Sequence, residues 1–221
     1  MPSRVSGRMP RACCICALVI TQSGRDGSSR RTLGKVILVA PCPTINGCMC
    51  MQIHLTGQIT AGVAPNPGPG IGNIHVSTAR IVSSYFSDEY SQCLELQLNL
   101  HDASDTAIVT RLTDDDNSIR VIAATVRQLA DYRFGSNGQP LTSSHANLAA
   151  WTITDAVAIW HGYRYGVPDV SFRGQGFRSL DNFQNRTVSL EELLNTIVIG
   201  TGAYESASNS VPIFEQYFQQ R

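Results

Sequence analysis

From Leu94 the chain alternates apolar and polar residues: Leu94, Leu96, Leu98 and Leu100 are separated by Glu95, Gln97 and Asn99. A period of two predicts a strand with one wet face. His101–Asp105 supplies turn residues, and Ile108, Thr110 and Leu112 resume the period of two, so the pair predicts a β-hairpin. The next stretch, SIRVIAATVRQLADYRFGSNG, carries both periods. Ile119, Ile122, Val126 and Leu129 fit a helix capped by Ser118; Val121, Ala123 and Thr125 alternate as in a strand, with a second strand at 130–134. Gly135 and Gly138 end it either way. From Ser144 to Gly166 the pattern is helical, with Ala149, Ile153, Ala156, Val157 and Trp160 on one face and Ser143 or Ser144 as N-cap. Ser189 and Glu192 form a capping-box pattern ahead of Leu190, Leu193, Leu194, Ile197 and Val198. Pro212 is placed to open a last short helix carrying Ile213, Phe214, Tyr217 and Phe218. Antiparallel strands followed by a helical half make an α+β fold.

GVAPNPGPGIGN, residues 62–73, divides the chain. Three prolines and four glycines in twelve residues sustain neither helix nor central strand. The reading is a leader or extension at 1–73, with this stretch as a linker, and one domain at 74–221. Charge divides at nearly the same place. The 221 residues are neutral overall, yet up to Ser87 Asp26 is the sole acid against seven arginines and Lys35, and from Asp88 acids outnumber bases. Six of the seven cysteines lie before residue 51. Cys13, Cys14, Cys16, Cys48 and Cys50 lack the paired spacing of a structural zinc site, so no metal is expected; Cys93 reads as a core residue. The apolar run 12–20 after Arg4, Arg8 and Arg11 has the outline of a signal peptide, fits an Arg-rich organelle leader equally, and fits an unstructured extension. The compartment therefore stays open between secreted and cytoplasmic. No apolar run reaches the roughly 18 residues that span a bilayer, so no membrane partner is expected.

The stretch SFRGQGFRSL, from Ser171, places a glycine- and arginine-rich aromatic turn before the capped helix. Together with LQLNLHDASDTAIVTRLTDDDNSIRVIAA, LADYRF and RTVSLEELLNTI, it resembles the A chain of ribosome-inactivating proteins over about 94–197, half the chain. The resemblance implies an rRNA N-glycosylase, a hydrolase that removes one adenine from large-subunit ribosomal RNA and so inhibits protein synthesis as a toxin or plant-defence factor. It implies a monomer acting on the ribosome without metal or cofactor. The flipped base would stack between two rings, as base-acting enzymes arrange it, and charge developing on the ribose would be stabilised as in glycoside cleavage.

Carried onto this chain, the first stacking position falls on Arg120 and the second on Phe177, with Gly174 allowing close approach and Arg173 contacting phosphate. The family's E-A-x-R helix has no counterpart here; Tyr204–Ser208 resembles it poorly, so the catalytic residues stay unassigned. That gap admits an inactive relative. The alternative reading is a non-enzymatic α+β binding module for RNA or protein, and a continuous helix across Ser118–Tyr132 would favour an unrelated fold. Other candidates carry ordinary readings beside the functional ones. Arg120, Arg173 and Arg178 read either as phosphate contacts along RNA or as solvated surface arginines, and the domain is not basic overall. His161 reads as a helix-end histidine, Asp114–Asp116 as a polar turn without the ligands of a calcium loop, and Glu191 and Glu192 as the first turn of a capped helix.

Overall fold

A computed structural model of the chain describes residues 40–41, 51–52, 72, 74–90, 97–141, 151–171, 176–198 and 203–219. The cysteines at 13–16 and 48–50, Cys93, Leu94, Leu96, Ala149, the Ser143 or Ser144 cap and nearly all of the 62–73 linker lie outside these residues. One two-residue strand pair, β1 (Ala40–Pro41) against β2 (Met51–Gln52), is antiparallel. From residue 74 on the described chain is helical: α1 (Val76–Glu89), α2 (Asp105–Thr113), α3 (Asp115–Phe134), α4 (Ile153–Tyr165), α5 (Leu180–Gln184), α6 (Leu190–Thr196) and α7 (Ala203–Gln219).

This overturns the α+β expectation and the hairpin within it. Asn99 has φ 52°, a left-handed conformation that asparagine tolerates but that a strand cannot run through. The backbone N–H of Leu100 donates to Ser83 Oγ at 2.8 Å instead of to a neighbouring strand. The supposed turn at His101–Asp105 is the start of a helix: Ser104 Oγ accepts from the Ala107 N–H at 3.3 Å, and Asp105 sits in the first turn. Ile108 and Leu112 are both buried and Thr110 is exposed, the signature of an i,i+4 helical face. Strand and helix patterns coincide at i and i+4, so only Thr110 could have separated them.

The two-period stretch resolves as one continuous helix, α3. Its N-cap is Asp114, whose carboxylate accepts from the Asn117 N–H at 2.9 Å; Ser118, the expected cap, is buried inside the first turns. Val121, Ile122, Val126 and Leu129 form its apolar face. α3 is the centre of the fold and packs on α1, α2, α4 and α5. α4 starts later than expected, at a capping box in which Thr152 and Asp155 bond each other's backbone N–H. The Ser189–Glu192 box forms as read. α7 is longer than the expected segment and carries Pro212 in its interior, not at its start. Ala207, Ser210 and Phe214 are its buried stripe, and α4 is the helix it packs against most closely.

Two buried ionic clusters tie the helices together. Asp131 of α3 accepts from Tyr85 Oη at 2.8 Å, from Tyr90 Oη, and from Arg127 Nε at 2.9 Å. Burial pushes its carboxyl above the usual range, and Arg127 and the two tyrosines only partly offset this. Asp155 of α4 accepts from Arg133 Nε at 3.0 Å and from Arg186 Nε and Nη2 at 3.1 and 3.0 Å. Burial pushes Asp155 up, but Arg186, the Thr152 N–H and Arg133 outweigh it and hold the carboxyl below its ordinary value. Arg133, itself buried, also donates to the carbonyls of Phe183 and Asn185, and Arg186 lies over the Phe134 ring at 3.8 Å.

Candidate functional site

Gly176 and Phe177, the described end of the SFRGQGF stretch, lie beside α4. Gly166 ends α4 with φ 84°, a conformation suited to glycine. The Gly176 N–H donates to the Gly166 carbonyl at 3.1 Å, and a Cβ at Gly176 would lie 2.6 Å from that oxygen. The Gly176 carbonyl accepts from His161 Nε2 at 2.8 Å. A carbonyl only accepts, so this bond fixes the proton on Nε2 of a neutral ring. Burial pushes the His161 pKa down to about 4, with the Gly176 bond opposing and Arg164 adding to the fall. Nδ1 is buried with no partner among the described residues. Position near a helix end is therefore not what governs this histidine.

Phe177 pairs with Ile197 in an isolated antiparallel bridge. Its ring is 2 % exposed and meets Phe183 and His161 edge-on, at 5.1 and 5.2 Å between centroids. A ring enclosed by these neighbours offers no open face to a base. Arg173 and Gly174 lie outside the described residues. Arg178 is exposed.

Arg120 lies elsewhere, on the exposed side of α3. The structure thus does not bring Arg120 and Phe177 together: one is on the surface and the other is enclosed beside α4. Arg120 lines a shallow depression of about 90 Å³ at the corner between α2 and α3, with Arg111, Asn117 and Gln97. Leu98, Leu100 and Val121 supply its apolar side. Arg111 donates through Nη1 to the Leu98 carbonyl at 3.0 Å, which leaves its other guanidinium N–H groups to the surface. Gln97 uses its side-chain N–H groups on the carbonyls of Phe86 and Tyr90, at 3.1 and 2.9 Å. Among the described residues the side chains of Arg120 and Asn117 make no hydrogen bond. Sequence reasoning missed Arg111, Asn117 and Gln97, because their meeting depends on the angle between two helices that the apolar pattern disguised as a hairpin.

Among the described residues no group of three metal-ligating side chains converges, and no helix is long and apolar enough to cross a membrane. Asp114–Asp116 are the cap and first turn of α3. Glu192 completes its capping box, and the Ser189 N–H holds its carboxyl below the ordinary value. No family model, no curated protein and no solved structure matches the chain.

Proposed function

We propose that the helical part of the chain is a non-enzymatic module that binds another protein. The observation that supports this is the use made of its buried acid–base groups. Asp131 is engaged by two tyrosines and an arginine, Asp155 by two arginines and a helix cap, and His161 by the Gly176 carbonyl. Each joins one element to another, as structural polar groups do. The glycosylase reading drew on strands at 94–112 and across 118–134; 105–112 and 118–134 are helical instead. Electrostatics favour protein over RNA as the partner. Residues 74–221 hold ten arginines against sixteen acids, an excess of six negative charges. Nucleic-acid binders normally present the opposite sign.

The test uses the full chain with intact ribosomes and with a fluorescein-labelled single-stranded RNA at low salt. We expect no free adenine by chromatography and no saturable anisotropy change. Adenine release would overturn the reading in favour of a glycosylase, and saturable RNA binding would overturn it in favour of an RNA-binding module.

A further inference from the structure

We propose that the depression between α2 and α3 receives the carboxylate of a glutamyl side chain from a partner protein. The inference rests on the reading of the chain as a protein-binding module and names the chemistry that the partner brings. Small-molecule sites usually enclose about 300–1,000 Å³, so a depression of about 90 Å³ takes one functional group and not a whole ligand. Its polar side holds more donors than acceptors, since Gln97, its N–H groups already spent, adds only a carbonyl oxygen. Arg120 is exposed and makes no hydrogen bond among the described residues, Arg111 keeps guanidinium N–H groups beyond its bond to Leu98, and the Asn117 amide adds two more. Guanidinium groups bind planar oxyanions through two parallel bonds, which gives direction as well as strength.

The remaining lining selects what carries the oxyanion. Half-buried Leu98, with only the edges of buried Leu100 and Val121 beside it, offers a small apolar strip for two methylenes while the carboxylate reaches the guanidinium groups. A glutamyl side chain has that stem and that head. A phosphodiester chain suits the place poorly. Asp114, Asp115 and Asp116 stand between Arg111 and Arg120 in sequence and cap the same helix, so the corner carries three negative charges against two positive ones. Attraction here depends on short-range paired hydrogen bonds and not on a positive field, and because both guanidinium groups are exposed it weakens as salt rises.

The experiment is an NMR titration of the ¹⁵N-labelled full chain, reading the arginine Nε–H signals. The probes are the blocked peptide Ac-Ala-Glu-Ala-NH₂, its glutamine counterpart and inorganic phosphate. The Glu peptide should shift the Arg111 and Arg120 signals saturably, with the Gln peptide weaker by about tenfold or more. Arg120→Gln should abolish the response of Arg111, and Arg178→Gln, at an exposed site elsewhere, should leave it intact. Unchanged helical circular dichroism and melting temperature in Arg120→Gln would show that it folds. Equal response to both peptides, a response to phosphate alone, persistence in Arg120→Gln, or no saturable shift would each overturn the proposal. None of these bears on the adenine-release test, so the two readings fail separately.

Discussion

Gly176 is held in a space that fits no side chain. An added Cβ would sit 2.6 Å from the Gly166 carbonyl oxygen and 3.1–3.2 Å from the His161 ring, and backbone cannot yield as a flexible side chain can. We expect Gly176→Ala to cost about 1–3 kcal/mol, the usual range for overpacking, read as a lower denaturant midpoint with unchanged slope. His161 makes a prediction in pH. Its folded pKa is depressed to about 4 from 6.5. The unfolded chain therefore takes up a proton that the folded chain refuses, so stability is fully present above pH 6.5 and declines as pH falls towards 4. The full span corresponds to about 3 kcal/mol. Chemical denaturation of the parent and of His161→Phe across that window should show the decline in the parent and a flatter profile in the variant; parallel profiles would refute the assignment. At this scale the sequence was partly legible. Gly176 and Phe177 stood out in SFRGQGFRSL, but whether Phe177 faces a base or the core depends on Phe183 and His161, which only the assembled helices bring to it.

The helices show where pattern reading succeeds and where it is degenerate. The Ser189–Glu192 box was legible because both halves of the motif lie within four residues and need no tertiary partner. Ile108-x-Thr110-x-Leu112 was not, because a strand and a helix both place the first and last residues on one face. Leu98 and Leu100 alternate without belonging to any strand; Ser83 Oγ accepts the Leu100 N–H that a sister strand would have taken, while the Gln97 side chain donates to the carbonyls of Phe86 and Tyr90. Pro212 misled in another way. It normally marks a helix start, yet α7 carries it through at an exposed position, where solvent can serve the Ser208 carbonyl. Since interior proline costs a helix about 3 kcal/mol, Pro212→Ala should raise the melting temperature. An unchanged or lower melting temperature would show that the α4–α7 packing depends on the proline. Asp155 is the opposite case, a residue whose loss is severe. Asp155→Asn removes the counter-charge of the buried Arg133 and of Arg186, and breaking such a pair costs about 3–5 kcal/mol, measurable by urea denaturation.

Over the whole molecule, the division of charge was legible in composition and survives as the main argument about partners. The fold class was not legible. It was decided by α3, where the stretch compatible with two periods, 118–134, lies within one twenty-residue helix packed against four neighbouring helices. The Arg133 cluster has a consequence for how this molecule comes apart. One guanidinium near the end of α3 holds the first turn of α4 through Asp155 and the end of α5 through the Phe183 and Asn185 carbonyls. Withdrawing α3 or α4 strands a charge in an apolar interior, and withdrawing α5 leaves Arg133 Nη1 without its two carbonyl acceptors. Fraying from these ends is thereby costly, and the three segments should open together as a cooperative unit. In native-state amide hydrogen exchange, residues 129–134, 155–159 and 183–184 should converge on one opening free energy, and Arg133→Met should split them into separate classes.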